Sequence, residues 1–287
     1  MSGEVVAAYG RQYLVECGPD GLLLCVPRGK KSLYACGDRV SVMATGSGQG
    51  VIEFSAPRAT EFFRSAVHRT KLIAANATQV AIICATEPSF GDEVIARVLV
   101  AAEHQGMKAL VVLNKCDLAD KLDAAQERLA PFREAGYRVI TMSAKQDVAP
   151  LRQVLEGEVT VLVGQSGMGK TTLLNALVPE ANRATREIST FLASGKHTTT
   201  HARLYRVGAV AVIDCPGLQE FGLAHLGRND IEAAFTDLRP HLGLCRFADC
   251  RHLTEPGCAL RAARDKGRIH PRRLELFQRI VAAEHAS

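Results

Sequence analysis

The sequence has no tryptophan, 5% aromatic residues and no run of eighteen apolar residues. Without such a run a membrane-spanning helix is excluded, and no membrane partner is expected. The first ten residues show no basic start followed by an apolar stretch, so no secretory leader is expected. The nine cysteines are odd in number and no export signal accompanies them. A disulfide framework is therefore not expected, and a reducing cytoplasm is. Neither an internal repeat nor a low-complexity tract occurs. What is there is a chain of 287 residues, 47% hydrophobic and 23% charged, with net charge +5. That is enough apolar residue for a buried core, and enough length for two domains or one domain with small modules at its ends. The mild basicity is compatible with a nucleic-acid partner and does not demand one.

Three textures divide the chain. Residues 1–58 read as five short strands bounded by Gly, Pro or Asp: Val5–Ala8, Gln12–Cys17, Leu22–Pro27, Arg39–Ala44 and Gly50–Phe54. They predict a small β-barrel, OB-like, although an SH3-like barrel has the same pattern. The turn Arg28-Gly29-Lys30-Lys31 is either a phosphate contact or a solvated loop. Residues 59–72 read as a connector with Arg64, Arg69 and Lys71, and Arg58 just before it. Beyond it, to 221, apolar runs alternate with helical patterns. The runs are Gln79–Ala85, Lys108–Leu113, Tyr137–Met142, Val159–Val163 and Val207–Ile213; the helices are Glu93–His104, Leu122–Glu134 and one starting at Gly169. This alternation predicts a mainly parallel sheet in an α/β domain. Residues 222–287 read as helices: Ile231–Leu238, Ala259–Lys266 and Leu274–His285.

Val159–Val163 runs into Gly164-Gln165-Ser166-Gly167-Met168-Gly169-Lys170-Thr171, with Thr172 next. This is G-x-x-x-x-G-K-[ST] between a strand and a helix, a phosphate-binding loop. The glycines let backbone N–H groups face a polyphosphate, and the helix start adds its positive end. Lys170 is placed for the β- and γ-phosphates and Thr171 for Mg²⁺.

The base is selected elsewhere. Lys108–Leu113 is followed by Asn114-Lys115-Cys116-Asp117. A carboxylate at Asp117 can accept from guanine N1–H and the exocyclic amine, whereas adenine would leave it unpaired. Asn114 would steady the loop and Lys115 lie along the ring. Ser143-Ala144-Lys145, after the next strand, fits a second guanine loop that offers a backbone N–H to O6. Asp214-Cys215-Pro216-Gly217 is D-x-x-G: Asp214 would hold Mg²⁺ through water and the Gly217 N–H would sense the γ-phosphate. The stretch Gly195-Lys196-His197-Thr198-Thr199-Thr200 should supply a threonine to Mg²⁺; Thr199 is favoured, with Thr198 and Thr200 as alternatives. The loops thus appear as NKCD, SAK, phosphate loop, threonines, DCPG. Ordinary GTPases begin with the phosphate loop, so this is a circular permutation. It places the switch segments directly before the C-terminal module.

With these motifs in this order, the sequence resembles the circularly permuted GTPases, and among them the ribosome small-subunit-dependent GTPases of the RsgA/YjeQ family. The resemblance spans nearly the whole chain. It implies GTP hydrolysis to GDP and phosphate late in small-subunit assembly, binding to rRNA near the decoding region, and stimulation by the subunit. A monomer is expected. The chain starts close to its first strand, so an RNA contact made by the basic N-terminal extension of some members is not expected.

Cys245, Cys250, His252 and Cys258 offer three thiolates and an imidazole. Four such ligands suit one tetrahedral Zn²⁺ with no open position, a structural site. The spacing also matches the zinc module of the family; the alternative is reduced core cysteines beside a satisfied histidine. The other six cysteines (Cys17, Cys25, Cys36, Cys84, Cys116, Cys215) lie among apolar neighbours and read as small hydrophobic filler. Positions 239–279 hold ten basic residues against four acidic ones, which suggests contacts to RNA phosphates or else a solvated helix face. Finally, Leu218 stands where Ras-like enzymes carry the glutamine that orients the attacking water. Slow intrinsic hydrolysis follows. His197 is the candidate in cis to accept a bond from water, a role the resemblance also implies; the alternative is that it contacts RNA or protein. Two further readings of the whole chain are an RNA-binding scaffold with GTP as a structural ligand and a permuted GTPase of the large subunit. An ATP-dependent kinase is disfavoured by Asp117.

Overall fold

Alternating side chains build the N-terminal strands of this computed structural model, which describes residues 1–29, 33–66, 69–179, 202–215 and 221–284. The expectations for Lys30, Lys31, His197, Thr198, Thr199, Thr200, Gly217 and Leu218 lie outside the described residues. In β3 (Leu22–Pro27), Leu23 and Cys25 turn inward; in β4 (Arg39–Gly46), Val40 and Val42 do. Ile52 of β5 (Gln49–Ser55) joins them, with Val5 of β1 (Ser2–Tyr9) and Tyr13 and Val15 of β2 (Gln12–Glu16), in a small separate core. The strands close in the order β1-β2-β3-β5-β4-β1, with β3 and β5 parallel. This is the expected five-stranded OB-like barrel.

The expected connector is instead an antiparallel hairpin of β6 (Glu61–Ala66) and β7 (Arg69–Ala75). Phe62, Ile73 and Ala74 are buried in the main core. A register shift between Phe62 and Phe63 breaks the period of two by which such strands are read. Arg58, counted among the basic residues of this stretch, is tied to the fully buried Asp38 by bonds of 2.7 and 2.9 Å.

Five parallel strands follow in spatial order β10-β9-β8-β11-β13: β8 (Gln79–Ala85), β9 (Lys108–Asn114), β10 (Arg138–Thr141), β11 (Val159–Gly164) and β13 (Val210–Asp214). Every residue of β8 is buried, as a central parallel strand requires. The helices are α1 (Asp92–His104), α2 (Leu122–Glu134), α3 (Ala149–Leu155) and α4 (Lys170–Leu177). The single strand expected at 207–213 is two: β12 (Arg203–Val207) turns at Gly208, φ +58°, and pairs antiparallel with β13. Arg203 and Arg206 make β12 too polar to read as a buried run.

The sheet does not stop there. Ala7 of β1 pairs with Arg203, the Ala8 N–H donates to the Ala202 carbonyl at 3.4 Å, and the Cys36 thiol donates to the same oxygen at 3.1 Å. Barrel and nucleotide sheet form one sheet of eleven strands.

The C-terminal helices are α5 (Arg228–Ala234), α6 (Ala259–Asp265) and α7 (Pro271–Glu284). Phe235, Leu274, Phe277 and Ile280 extend the main core into this module. Arg273, 1% exposed, is bidentate to Asp237 at 3.0 and 2.7 Å and lies over the Phe235 ring at 4.6 Å. No helix among the described residues is long and apolar enough to cross a membrane.

Candidate functional site

Parallel strands point their carboxyl ends to one side, and the loops that leave them share that side. The chain exploits this for four loops. Those at 114–117, 143–145 and 164–171 follow β9, β10 and β11, and Asp214 closes β13. The phosphate loop turns through Gly167, φ +81°, and Gly169, φ +82°. A Cβ at Gly169 would stand 2.5 Å from Asn114 Nδ2, and one at Gly164 2.6 Å from the Ile83 carbonyl. Both conformation and close approach require glycine there.

Asn114, 2% exposed, joins three loops. Its Nδ2 donates to the Met168 carbonyl at 3.0 Å, and its Oδ1 accepts the Ala144 N–H at 2.9 Å. Lys115, φ +61°, donates from Nζ to the carbonyls of Gly167 at 2.8 Å and Glu87 at 2.7 Å. The Ser143 hydroxyl is buried without a hydrogen-bond partner of ordinary geometry. It nonetheless leads the influences that hold the Asp117 carboxyl below the usual range, ahead of the Lys145 and Lys115 charges. A buried hydroxyl beside an exposed, ionised carboxylate fits a site that binds a polar ring.

Lys170, the first residue of α4, contacts the Asp214 carboxylate and the Cys215 carbonyl through Nζ. The phosphate-loop lysine and the D-x-x-G aspartate thus meet although 44 residues separate them. Thr171 and Thr172 are exposed in the first turn of α4, Ser166 is exposed beside them, and Gln165 is half-buried. Asn114 and Lys115 thus tie the loop that carries Asp117 to the phosphate loop that leads into Lys170, and the glycine cradle and donor set fit a nucleoside polyphosphate with Mg²⁺. The Gln165 side chain has a further partner that no motif signals: its Oε1 accepts the Gly91 N–H at 2.7 Å. Only the topology hints at it, because Gly91 lies in the loop after β8, on the same side of the sheet.

The ligand atoms of Cys245, Cys250, His252 and Cys258 all lie within 4.8 Å of one another. His252 Nδ1 is 3.5 Å from the sulfurs of Cys245 and Cys258, while Nε2 faces Glu232 Oε1 at 3.7 Å. Three sulfurs and one imidazole nitrogen, with a carboxylate behind the ring, fit tetrahedral zinc and its outer shell. Of the other cysteines, Cys17, Cys25, Cys36, Cys84 and Cys215 are buried as expected, and burial pushes the Cys84 and Cys215 thiols up to about 12. Cys116 is only partly buried, because it stands in the loop after β9.

The basic excess at 239–279 is partly structural. Arg273 is paired with Asp237, Arg272 with Asp92, Arg264 with Asp265, and Arg279 lies 3.8 Å from Glu275. Arg246 and Arg251 remain exposed around the cysteine cluster.

A phosphate loop, guanine-loop residues and a D-x-x-G aspartate converge on a parallel sheet in permuted chain order, which defines a circularly permuted P-loop GTPase. A family model described as RsgA GTPase matches residues 55–224. The chain is 50% identical over 284 residues to a protein of Nitrosospira multiformis, covering 99% of this chain and 91% of that protein. It is 47% identical over 285 residues to one of Nitrosomonas europaea, covering 98% and 91%. Both relatives are named small ribosomal subunit biogenesis GTPase RsgA. The crystal structure of YjeQ from Thermotoga maritima superposes with a TM-score of 0.77 at 26% identity, covering 100% of this chain and 99% of that one. YloQ, a circularly permuted GTPase, shares the fold with a TM-score of 0.73 at 24% identity, covering 99% and 95%. This chain belongs to the RsgA GTPase family.

Proposed function

We propose that this protein hydrolyses GTP to GDP and phosphate as an assembly factor of the small ribosomal subunit, in the cytoplasm and as a monomer. The observation that carries the reading is the Asn114 side chain, which binds the phosphate loop and the Ser143–Lys145 loop together. It gives guanine recognition and phosphate binding a common frame. The relatives' names supply the subunit as partner.

In this reading Asp117 accepts from guanine, the Ser143–Lys145 loop faces O6, and Gly164–Thr172 wrap the phosphates. Lys170 neutralises phosphate charge. Thr171, Thr199 and Asp214, the last through water, hold Mg²⁺, which screens charge on the phosphate oxygens. Gly217 senses the γ-phosphate. Leu218 cannot orient water, so His197 takes that role, and the intrinsic rate is low until the subunit engages. Cys245, Cys250, His252 and Cys258 hold one structural zinc, which stabilises a module with few aromatic residues. The modules are residues 1–58, 59–221 and 222–287. Exposed Arg246 and Arg251 make phosphate contacts to rRNA near the decoding region.

The test is multiple-turnover phosphate release from GTP with and without purified small subunits. Turnover stimulated by small subunits and not by large ones is expected. GTP bound without turnover in either case would make the protein a scaffold and overturn the proposal.

A further inference from the structure

The segment between β8 and α1 carries no nucleotide-binding motif, yet it touches both nucleotide loops. Thr86 Oγ1 donates to the Lys115 carbonyl at 2.9 Å, and the Glu87 carbonyl accepts from Lys115 Nζ at 2.7 Å. Pro88 closes over Gly167, where a Cβ would come within 3.1 Å of its Cγ. The Gly91 N–H donates to Gln165 Oε1 at 2.7 Å. One short stretch is therefore a wall shared by the guanine loop and the phosphate loop.

Two arginines grip the other side of this wall. Arg128 of α2 donates to the Phe90 carbonyl at 2.6 Å and to Asp92 Oδ1 at 2.7 Å, with its guanidinium 4.4 Å from the centre of the Phe90 ring. Arg272 of α7 donates to the other oxygen, Asp92 Oδ2. The Asp92 side chain is 17% exposed against 35% and 36% for its two arginines, so salt screens these pairs less than it does fully exposed ones. At the far end of α7, Glu284 pairs with Arg97 of α1. The last helix of the Cys/His module thus holds α1 at two points, one of them the root of the wall.

We infer that Asp92 is a positioning residue for the nucleotide pocket, through which the docking of α7 on α1 sets how long a guanine nucleotide stays bound. With Arg272 withdrawn, Asp92 keeps only Arg128, and the start of α1 gains freedom. Gln165 and Lys115 then lose a fixed partner. The coupling is reciprocal: bound GDP holds α7 on α1, and a partner that draws the Cys/His module away shortens the nucleotide's residence. The route runs through packed side chains, apart from the covalent link downstream of Asp214. The inference rests on the proposal that these loops hold a guanine nucleotide.

The experiment is the release rate of a fluorescent GDP analogue from the full chain. The variants are Arg272→Ala, Arg272→Lys, Asp92→Asn, the Arg272→Ala/Asp92→Asn double, and Arg279→Ala as a control on the exposed face of the same helix. Release about fivefold faster or more is expected in Arg272→Ala and in Asp92→Asn, with no further gain in the double variant. Arg272→Lys should recover part of the loss, and the control should match the parent. Zinc content and nucleotide-free melting temperature are measured alongside; if Arg272→Ala loses either, the nearly isosteric Asp92→Asn decides. Unchanged release in Asp92→Asn, or additive acceleration in the double variant, overturns the inference while the guanine reading stands. A parent protein that retains no GDP overturns both.

Discussion

The Asn114 side chain donates to the Met168 carbonyl across 54 residues of chain and accepts from the Ala144 N–H across 30. Both ends of one buried amide are occupied, and each joins a different nucleotide loop. Asn114→Ala would orphan a buried carbonyl and a buried N–H, each at a cost of ~1–3 kcal/mol. Because the damage falls on the loops themselves, GDP affinity should drop by at least about tenfold. Titration calorimetry would read it, and an unchanged Kd would show that the loops are held by other means.

Asp117 carries the choice of base. Its carboxylate is ionised well below neutrality, with Ser143 as the first cause, so it can only accept hydrogen bonds. Asp117→Asn turns one acceptor into a donor that faces the guanine amine. GTP binding should weaken by about a hundredfold or more, while xanthosine triphosphate, with a carbonyl in place of that amine, should gain. Competition binding with the two nucleotides gives the answer. No change in their ratio would remove Asp117 from the base pocket.

The four donors at 245–258 should retain about one zinc ion per chain, by elemental analysis. Cys258→Ser should lose it. Metal binding and folding are coupled in such small modules, so hydrogen exchange in α6 and α7 should rise with the loss. Zinc retained in the variant would point to other ligands.

Arg273 and Asp237 form an ion pair at 2% and 11% side-chain exposure, and the Arg273 NH1 has no partner. Taking away one buried partner strands the other, whereas an apolar replacement of similar length restores packing without restoring the pairing. Arg273→Ala should cost ~3–5 kcal/mol in urea unfolding, and Arg273→Met less. Equal losses in the two would mean that Asp237 finds water or another donor.

Much of this was legible in advance, and the exceptions share a cause. The barrel strands and β8 through β11 stand out because burial on one or both faces writes itself into the residue pattern. The nucleotide loops stand out because their chemistry restricts residue type at fixed spacing. The hairpin at 61–75 was hidden by its bulge, and β12 by its two arginines. Arg58, Arg272 and Arg273 look like free positive charge in a linear sequence, yet each has an acidic partner 20, 180 and 36 residues away, respectively. Pairing at such separation has no local signature. The wall at 86–91 escaped for a similar reason: most of its contacts to the nucleotide loops pass through backbone groups, which every sequence contains.

One edge of β1 serves two neighbours, pairing with β4 at residues 2–4 and with β12 at residue 7. A freestanding nucleotide sheet would expose β12 at one border and β10 at the other. Here the barrel joins the first at its start, where Ala7 pairs with Arg203, so among the described residues the only strand of the eleven-stranded sheet with a single neighbour is the four-residue β10. So brief a border offers little template for an invading strand. The seam that fuses the two modules therefore also guards the molecule against growing by strand addition into aggregates.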